Sequence, residues 1–174
     1  MVYISYSFVS LEGACDMVEK GPVETRSAAD FRMMRETLGL AQAWVARAVG
    51  VTTLTVVHWE DPREFALPRR EAWDLVEGMW AEADRRAAAF VDMASKAVAM
   101  ARENGVEPEP VMLSYWRSFE DHDVAHRDED VVIAGFHLGR RGMMRVENAA
   151  CRMAVDRLHA LGVPPTVMYA EVEA

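Results

Sequence analysis

LAQAWVARAVGVTTLTVVHWE, residues 40 to 60, sets the reading of the whole chain. From Ala43 to Val49 the apolar residues Trp44, Val45, Ala46 and Val49 recur at helical spacing, Gly50 interrupts, and Thr52 opens a second apolar-periodic run that ends at Trp59. Two short helices joined by a tight turn are expected. Gly50 can take the left-handed conformation that ends the first helix, and the Thr52 hydroxyl can cap the free N–H groups of the second. Ala46 is small where the helices must cross, and Val45, Val49, Val51, Val56 and Trp59 supply the faces that hold them together.

Gln42, Ala46, Gly50, Val51, Val56, Trp59 and Glu60, with Leu67-Pro68 as the exit, resemble the pattern of the Cro and lambda-repressor type (xenobiotic-response-element class) of helix-turn-helix proteins over residues 27 to 80. The resemblance implies sequence-specific binding of double-stranded DNA. Gln42 would then hold a phosphate, and Thr53, Leu54 and His58 would face base edges. The chain departs from that pattern in having no Arg or Lys between Val51 and Trp59, while Leu54 and Val57 add apolar surface. Thymine methyls suit Leu54, Val57 and the methyls of Thr52, Thr53 and Thr55, with His58 or a Thr hydroxyl supplying hydrogen bonds. Arg35, Arg47 and Arg63 are the expected phosphate anchors. The rival reading is a protein-binding adaptor or inhibitor on the same fold, favoured by the uncharged helix surface.

Upstream, Ser27 is placed to cap a helix through Thr37 with Phe31, Met34 and Leu38 on one face. Residues 1 to 26 form an extension whose alternating Val2 to Val9 reads as a strand, followed by a short helix. Downstream, Glu60 to Leu67 reads as a loop, and Pro68 suits the first turn of a long helix. There Trp73, Val76, Trp80, Ala83, Ala87, Phe90, Ala94, Ala97 and Ala101 recur at three- and four-residue steps, the spacing of a helix packed along another. Unbroken, this helix of about 37 residues spans roughly 55 Å. It reads as a connector carrying a seam into a dimer, the alternative being two helices broken near Gly78.

Glu107-Pro108-Glu109-Pro110 is a stiff linker, Val111 to Trp116 reads as a strand, and Met143 to Leu161 as an amphipathic helix stopped by Gly162 and Pro164-Pro165. Its apolar side carries Val146, Ala150, Met153, Ala154, Leu158 and Leu161. Val131 to Leu138 is apolar but too short to type. Glu120 to Asp130 reads as a solvated acidic loop. Its His122 and His126, beside Asp121 and Asp123, would suit a metal only if helical, so no metal is assigned. In order and texture this half resembles the dimerising domain of some phage and bacterial helix-turn-helix regulators, anti-CRISPR-associated repressors among them, which implies a homodimeric repressor. Trp80, Phe90, Met153 and Leu158 are the expected dimer contacts. The expected architecture is mostly α: an extension (1–26), a helix-turn-helix bundle (27–82), and a long helix leading into a small α+β dimerisation domain (83–174).

Composition is consistent with this plan. The 174-residue chain carries a net charge of −9, yet residues 27 to 70 hold six basic against five acidic side chains, which leaves −10 elsewhere. A near-neutral reader attached to an acidic assembly domain limits non-specific sliding on DNA. No apolar run is long enough for a membrane span, and a cytoplasmic location is expected. Cys15 and Cys151 lack C-x-x-C partners and read as ordinary thiols. A phosphate-cradling glycine loop, G-x-S-x-G and H-E-x-x-H are missing from the sequence, so neither an enzyme nor a cofactor is expected.

Overall fold

A computed structural model of the chain describes residues 26–126, 131–163 and 165–170. The strand and short helix expected in the first 25 residues, and Cys15, lie outside these. Ser27 begins α1 (Ala28–Thr37): its hydroxyl accepts the Asp30 N–H, and the Asp30 carboxylate accepts the Ser27 N–H in return. This reciprocal box satisfies two donors that a helix start would otherwise leave open. α2 (Gln42–Ala48) and α3 (Thr53–Glu60) follow. Gly50 turns between them at φ 70°, and the Thr52 hydroxyl accepts the Thr55 N–H at 3.1 Å. Val45, Ala46, Val56 and Trp59 are buried. Trp59 and Trp73 both meet Phe31 edge-on, with ring centroids 6.0 and 5.3 Å away. Such contacts each add about 0.5–1.5 kcal/mol beyond the area they bury.

α4 (Arg70–Glu103) is continuous over 34 residues. Beyond it come β1 (Val111–Tyr115), α5 (Phe119–Ala125), β2 (Val132–Ile133), β3 (Phe136–His137), α6 (Gly139–Ala160) and β4 (Pro165–Tyr169). β1 and β4 pair in parallel from Val111↔Pro165 to Tyr115↔Tyr169, while β2 and β3 form a hairpin. The hairpin turn, Ala134 at φ 50° and Gly135 at φ 81°, has the two positive φ values that match the twist of short antiparallel strands. The molecule is thus mostly helical, with a small strand component in its C-terminal part.

Gly78 does not break α4. A Cβ there would lie 2.9 Å from the Ala134 Cβ and 3.0 Å from the Ile133 Cγ2, so the missing side chain lets the hairpin lie against the helix. Gly142 plays a similar part on α6, where a Cβ would stand 2.6 Å from the Leu138 Cβ and 3.5 Å from the Trp44 ring. α6 begins at Gly139, four residues before the apolar pattern announces it, and Leu161 lies just past its end and is exposed.

Much of the stripe on α4 has its partner in the same chain, while Phe90 and Ala97 stay exposed. Trp73, Val76, Ala83, Ala87 and Ala94 join Val146, Ala150, Met153, Ala154 and Leu158 of α6 in one buried cluster that also contains Phe31, Val45 and Trp59. Met153 and Leu158, expected at a dimer seam, are therefore covered by their own chain. Helical spacing shows that a helix packs on another but not whether the two share a chain. Trp80 is half-buried against the same cluster, and Phe90 remains exposed. The expected boundary near residue 82 falls inside α4, and α6 reaches back to the helix-turn-helix. Arg152 Nη2 donates to the Thr37 carbonyl at 2.7 Å and Arg145 Nη1 to that of Gly39.

Candidate functional site

α3 turns Val56 and Trp59 inward and leaves Thr53, Leu54 and Val57 exposed, with Thr55 and His58 half-buried. Thr52 is exposed but committed to its cap, where its hydroxyl also pairs with that of Thr55 at 2.8 Å. The outward strip therefore consists of one hydroxyl-bearing and two aliphatic side chains. It can offer methyl contacts and few donors.

At the base of α3, two of the residues expected to contact phosphate are engaged within the protein. Arg35 is 8% exposed; its Nε and Nη2 donate to the two oxygens of Glu60 at 2.5 and 2.8 Å, and its Nη1 donates to the Leu40 carbonyl at 2.6 Å. All three groups of the guanidinium fork are used inside the protein. Gln42 Nε2 donates to Glu60 Oε2 at 2.9 Å, so its amide steadies the same carboxylate. This arrangement fastens α1, α2 and α3 together, and Glu60, read in sequence as part of a pattern, is its centre.

Arg63 is exposed but chelated by Asp61, whose Oδ1 accepts from the Arg63 N–H and Nε and whose Oδ2 accepts from Nη2 at 2.7 Å. The Arg63 guanidinium holds the Asp61 carboxyl well below the usual carboxylate range, at about 2. Arg32 pairs with Glu36 at 2.8 Å. Arg47, at the end of α2, and Arg69, before α4, are exposed and form no carboxylate pair among the described residues. They are the cations nearest in sequence to the motif that a phosphate would find unoccupied.

The acidic stretch expected to be a loop contains α5, capped by the Ser118 hydroxyl, which accepts the Asp121 N–H. The carboxylates beside the His pair do not complete a cluster with it. Asp123 pairs instead with Arg140 at 2.5 Å. The third group, which sequence spacing did not reveal, is Glu147 of α6, whose Oε2 lies 3.4 Å from His122 Nε2 and 3.9 Å from His126 Nε2. Cys151 is buried, and burial pushes its thiol up and away from the reactive thiolate.

Among the described residues no helix is long and apolar enough to cross a membrane. No family model matches the chain, and no curated protein shows significant sequence similarity to it.

Proposed function

We propose that the protein is a sequence-specific, double-stranded DNA-binding transcriptional regulator, acting as a homodimeric repressor on an inverted repeat. The observation that carries this reading is α3, set across α2 by the Gly50 turn with Thr53, Leu54 and Val57 facing outward. Its base is held by the Arg35–Glu60–Gln42 group, of which Arg35 and Glu60 are buried, and this supports a fixed presentation of the helix. Arg47 and Arg69 would anchor phosphates, and the methyl-rich strip would read thymines. A lone unit with so few free cations binds weakly, so two copies are needed. Exposed Phe90, Met93 and Met100 on α4, with Met112 of β1, offer apolar surface for pairing in place of the covered Met153 and Leu158.

A mobility-shift titration against the DNA upstream of its own gene, at two salt concentrations, tests the reading. Thr53→Ala and His58→Ala should each weaken an identified operator by about 1–3 kcal/mol where the side chain makes a base contact. Arg47→Ala should weaken all sequences alike and flatten the salt dependence by about one ion. Absence of any retarded complex with upstream DNA at low salt would sink it. A second reading, a protein-binding adaptor, is favoured by the exposure of Leu54, Val57, Phe65 and Leu67 around an α3 without Arg or Lys. Capture of a partner that Leu54→Asp abolishes, with DNA binding absent, would select it.

A further inference from the structure

Residues 118 to 126 and Glu147 enclose a second constellation with its own chemistry. Two imidazoles one helical turn apart, His122 fully buried and His126 half-buried, stack with centroids 4.5 Å apart and planes 27° off parallel. Both turn their Nε2 atoms toward one oxygen of Glu147, and one ligand atom from each of the three residues lies within 4.8 Å of the others. With Zn–N bonds of about 2.0–2.1 Å and Zn–O bonds of about 2.0–2.2 Å, tetrahedral ligand atoms stand about 3.3–3.4 Å apart. The His122–Glu147 separation of 3.4 Å already matches that edge. The His126–Glu147 separation of 3.9 Å needs to close by roughly half an ångström, and the edge between the two imidazoles, within 4.8 Å, must reach the same length.

The surroundings are those of a supported ligand set. Trp116 Nε1 donates to Glu147 Oε2 at 2.6 Å, and Arg86 Nη1 donates to Oε1 at 3.1 Å, so the carboxylate is held from two sides. Asn148 fixes Trp116 in turn: its Oδ1 accepts the Trp116 N–H at 2.9 Å and its Nδ2 donates to the Trp116 carbonyl at 3.0 Å. The indole stands edge-on to both imidazoles, 5.1 and 5.4 Å between centroids. Arg86 does not simply cancel Glu147, because its Nε is already paired with Glu82 at 2.7 Å. A groove of about 400 Å³ lined by Phe90, Trp116, Glu147 and Cys151 gives an ion a route to the carboxylate. Hydrogen bonds that orient ligating carboxylates are a usual mark of metal centres.

We infer that His122, His126 and Glu147 bind a divalent transition-metal ion of the zinc class, with water completing the coordination. Two imidazoles and one carboxylate suit Zn²⁺ or Co²⁺ rather than Ca²⁺ or Mg²⁺, which prefer oxygen ligands. The ion fastens α5 to α6 and is independent of DNA binding.

The test uses the full chain, free of any affinity tag, freed of metal by chelator and titrated at pH 7 with Zn²⁺ by calorimetry and with Co²⁺ by visible absorption. One equivalent per chain should bind, with cobalt bands of a low-coordinate N/O site, and Zn²⁺ should displace Co²⁺ and raise Tm. His126→Gln, at a half-buried position, and Glu147→Gln, which keeps an oxygen for Trp116, should each weaken the metal at least about tenfold while circular dichroism stays native. No saturable one-equivalent uptake by the folded chain would overturn the proposal. So would uptake that either variant leaves unchanged.

Discussion

Arg35 and Glu60 are an ion pair inside the helix-turn-helix, so losing one partner strands the other without water. Arg35→Ala should cost about 3–5 kcal/mol in chemical denaturation, whereas the double change Arg35→Met, Glu60→Leu should come much closer to neutral. An equally large loss in the double variant would mean that packing, not the stranded charge, sets the cost. Asp61 makes the opposite case at the surface. Its folded-state pKa is depressed to about 2, so its pairing with Arg63 is complete above the ordinary carboxylate range and is lost as pH falls from about 4 through about 2. A carboxyl NMR titration of Asp61 should therefore show a midpoint near 2, and a midpoint near the ordinary carboxylate value would show that the chelate is not formed. Asp61→Asn releases Arg63 and, if DNA is the partner, should steepen the salt dependence by about one ion. Neither pairing was legible in the sequence. Arg35 and Glu60 are 25 residues apart and Arg63 lies on the same exposed stretch as Asp61, so a count of basic residues treats a spent arginine like an available one.

Local rules served the helix-turn-helix well because its start, turn and cap are set within a few residues: Ser27 with Asp30, Gly50, and Thr52 with Thr55. They failed where the deciding neighbour is distant. The helix runs on through Gly78 as expected, but the reason for a glycine there lies in the hairpin some fifty-five residues on, which its lack of a side chain serves. Gly78→Ala should destabilise the protein by about 1–3 kcal/mol through overpacking, despite alanine's better helix propensity. A gain in denaturation midpoint would show that the hairpin moves aside freely. Pro164-Pro165 reads as a full stop, yet Pro165 opens β4, whose pairing to β1 no alternation in so short a segment could announce. α5 was hidden by its acid content, and Glu147 by a gap of more than twenty residues from the histidines it meets.

The buried cluster runs from Phe31 of α1 to Leu158 of α6 without interruption. A chain cut after Arg70 loses Trp73, Val76 and Met79, which cover the helix-turn-helix from below, so it should fail to fold rather than merely fail to dimerise. Dispersed amide resonances from that fragment would contradict this. For the whole chain, Phe90→Glu combined with Met100→Glu should leave Tm within a few degrees, because both side chains face solvent in one copy, and, if the chain pairs as proposed, should shift sedimentation from dimer to monomer. An unchanged dimer would place pairing elsewhere. Trp73, which touches Phe31 of α1, and Met93, on the exposed apolar face, are about 20 residues or 30 Å apart along α4. The helix is thus the arm of a caliper, and Arg145 and Arg152 clamp the jaw to its body. A tilt of about 6° over that arm would carry the jaw about 3 Å, close to the roughly 3.4 Å step between base pairs. If the proposed reading of DNA holds, two such calipers joined at their handles would set the spacing of the half-sites through rigid packing, with a few degrees of tilt enough to absorb one base-pair step.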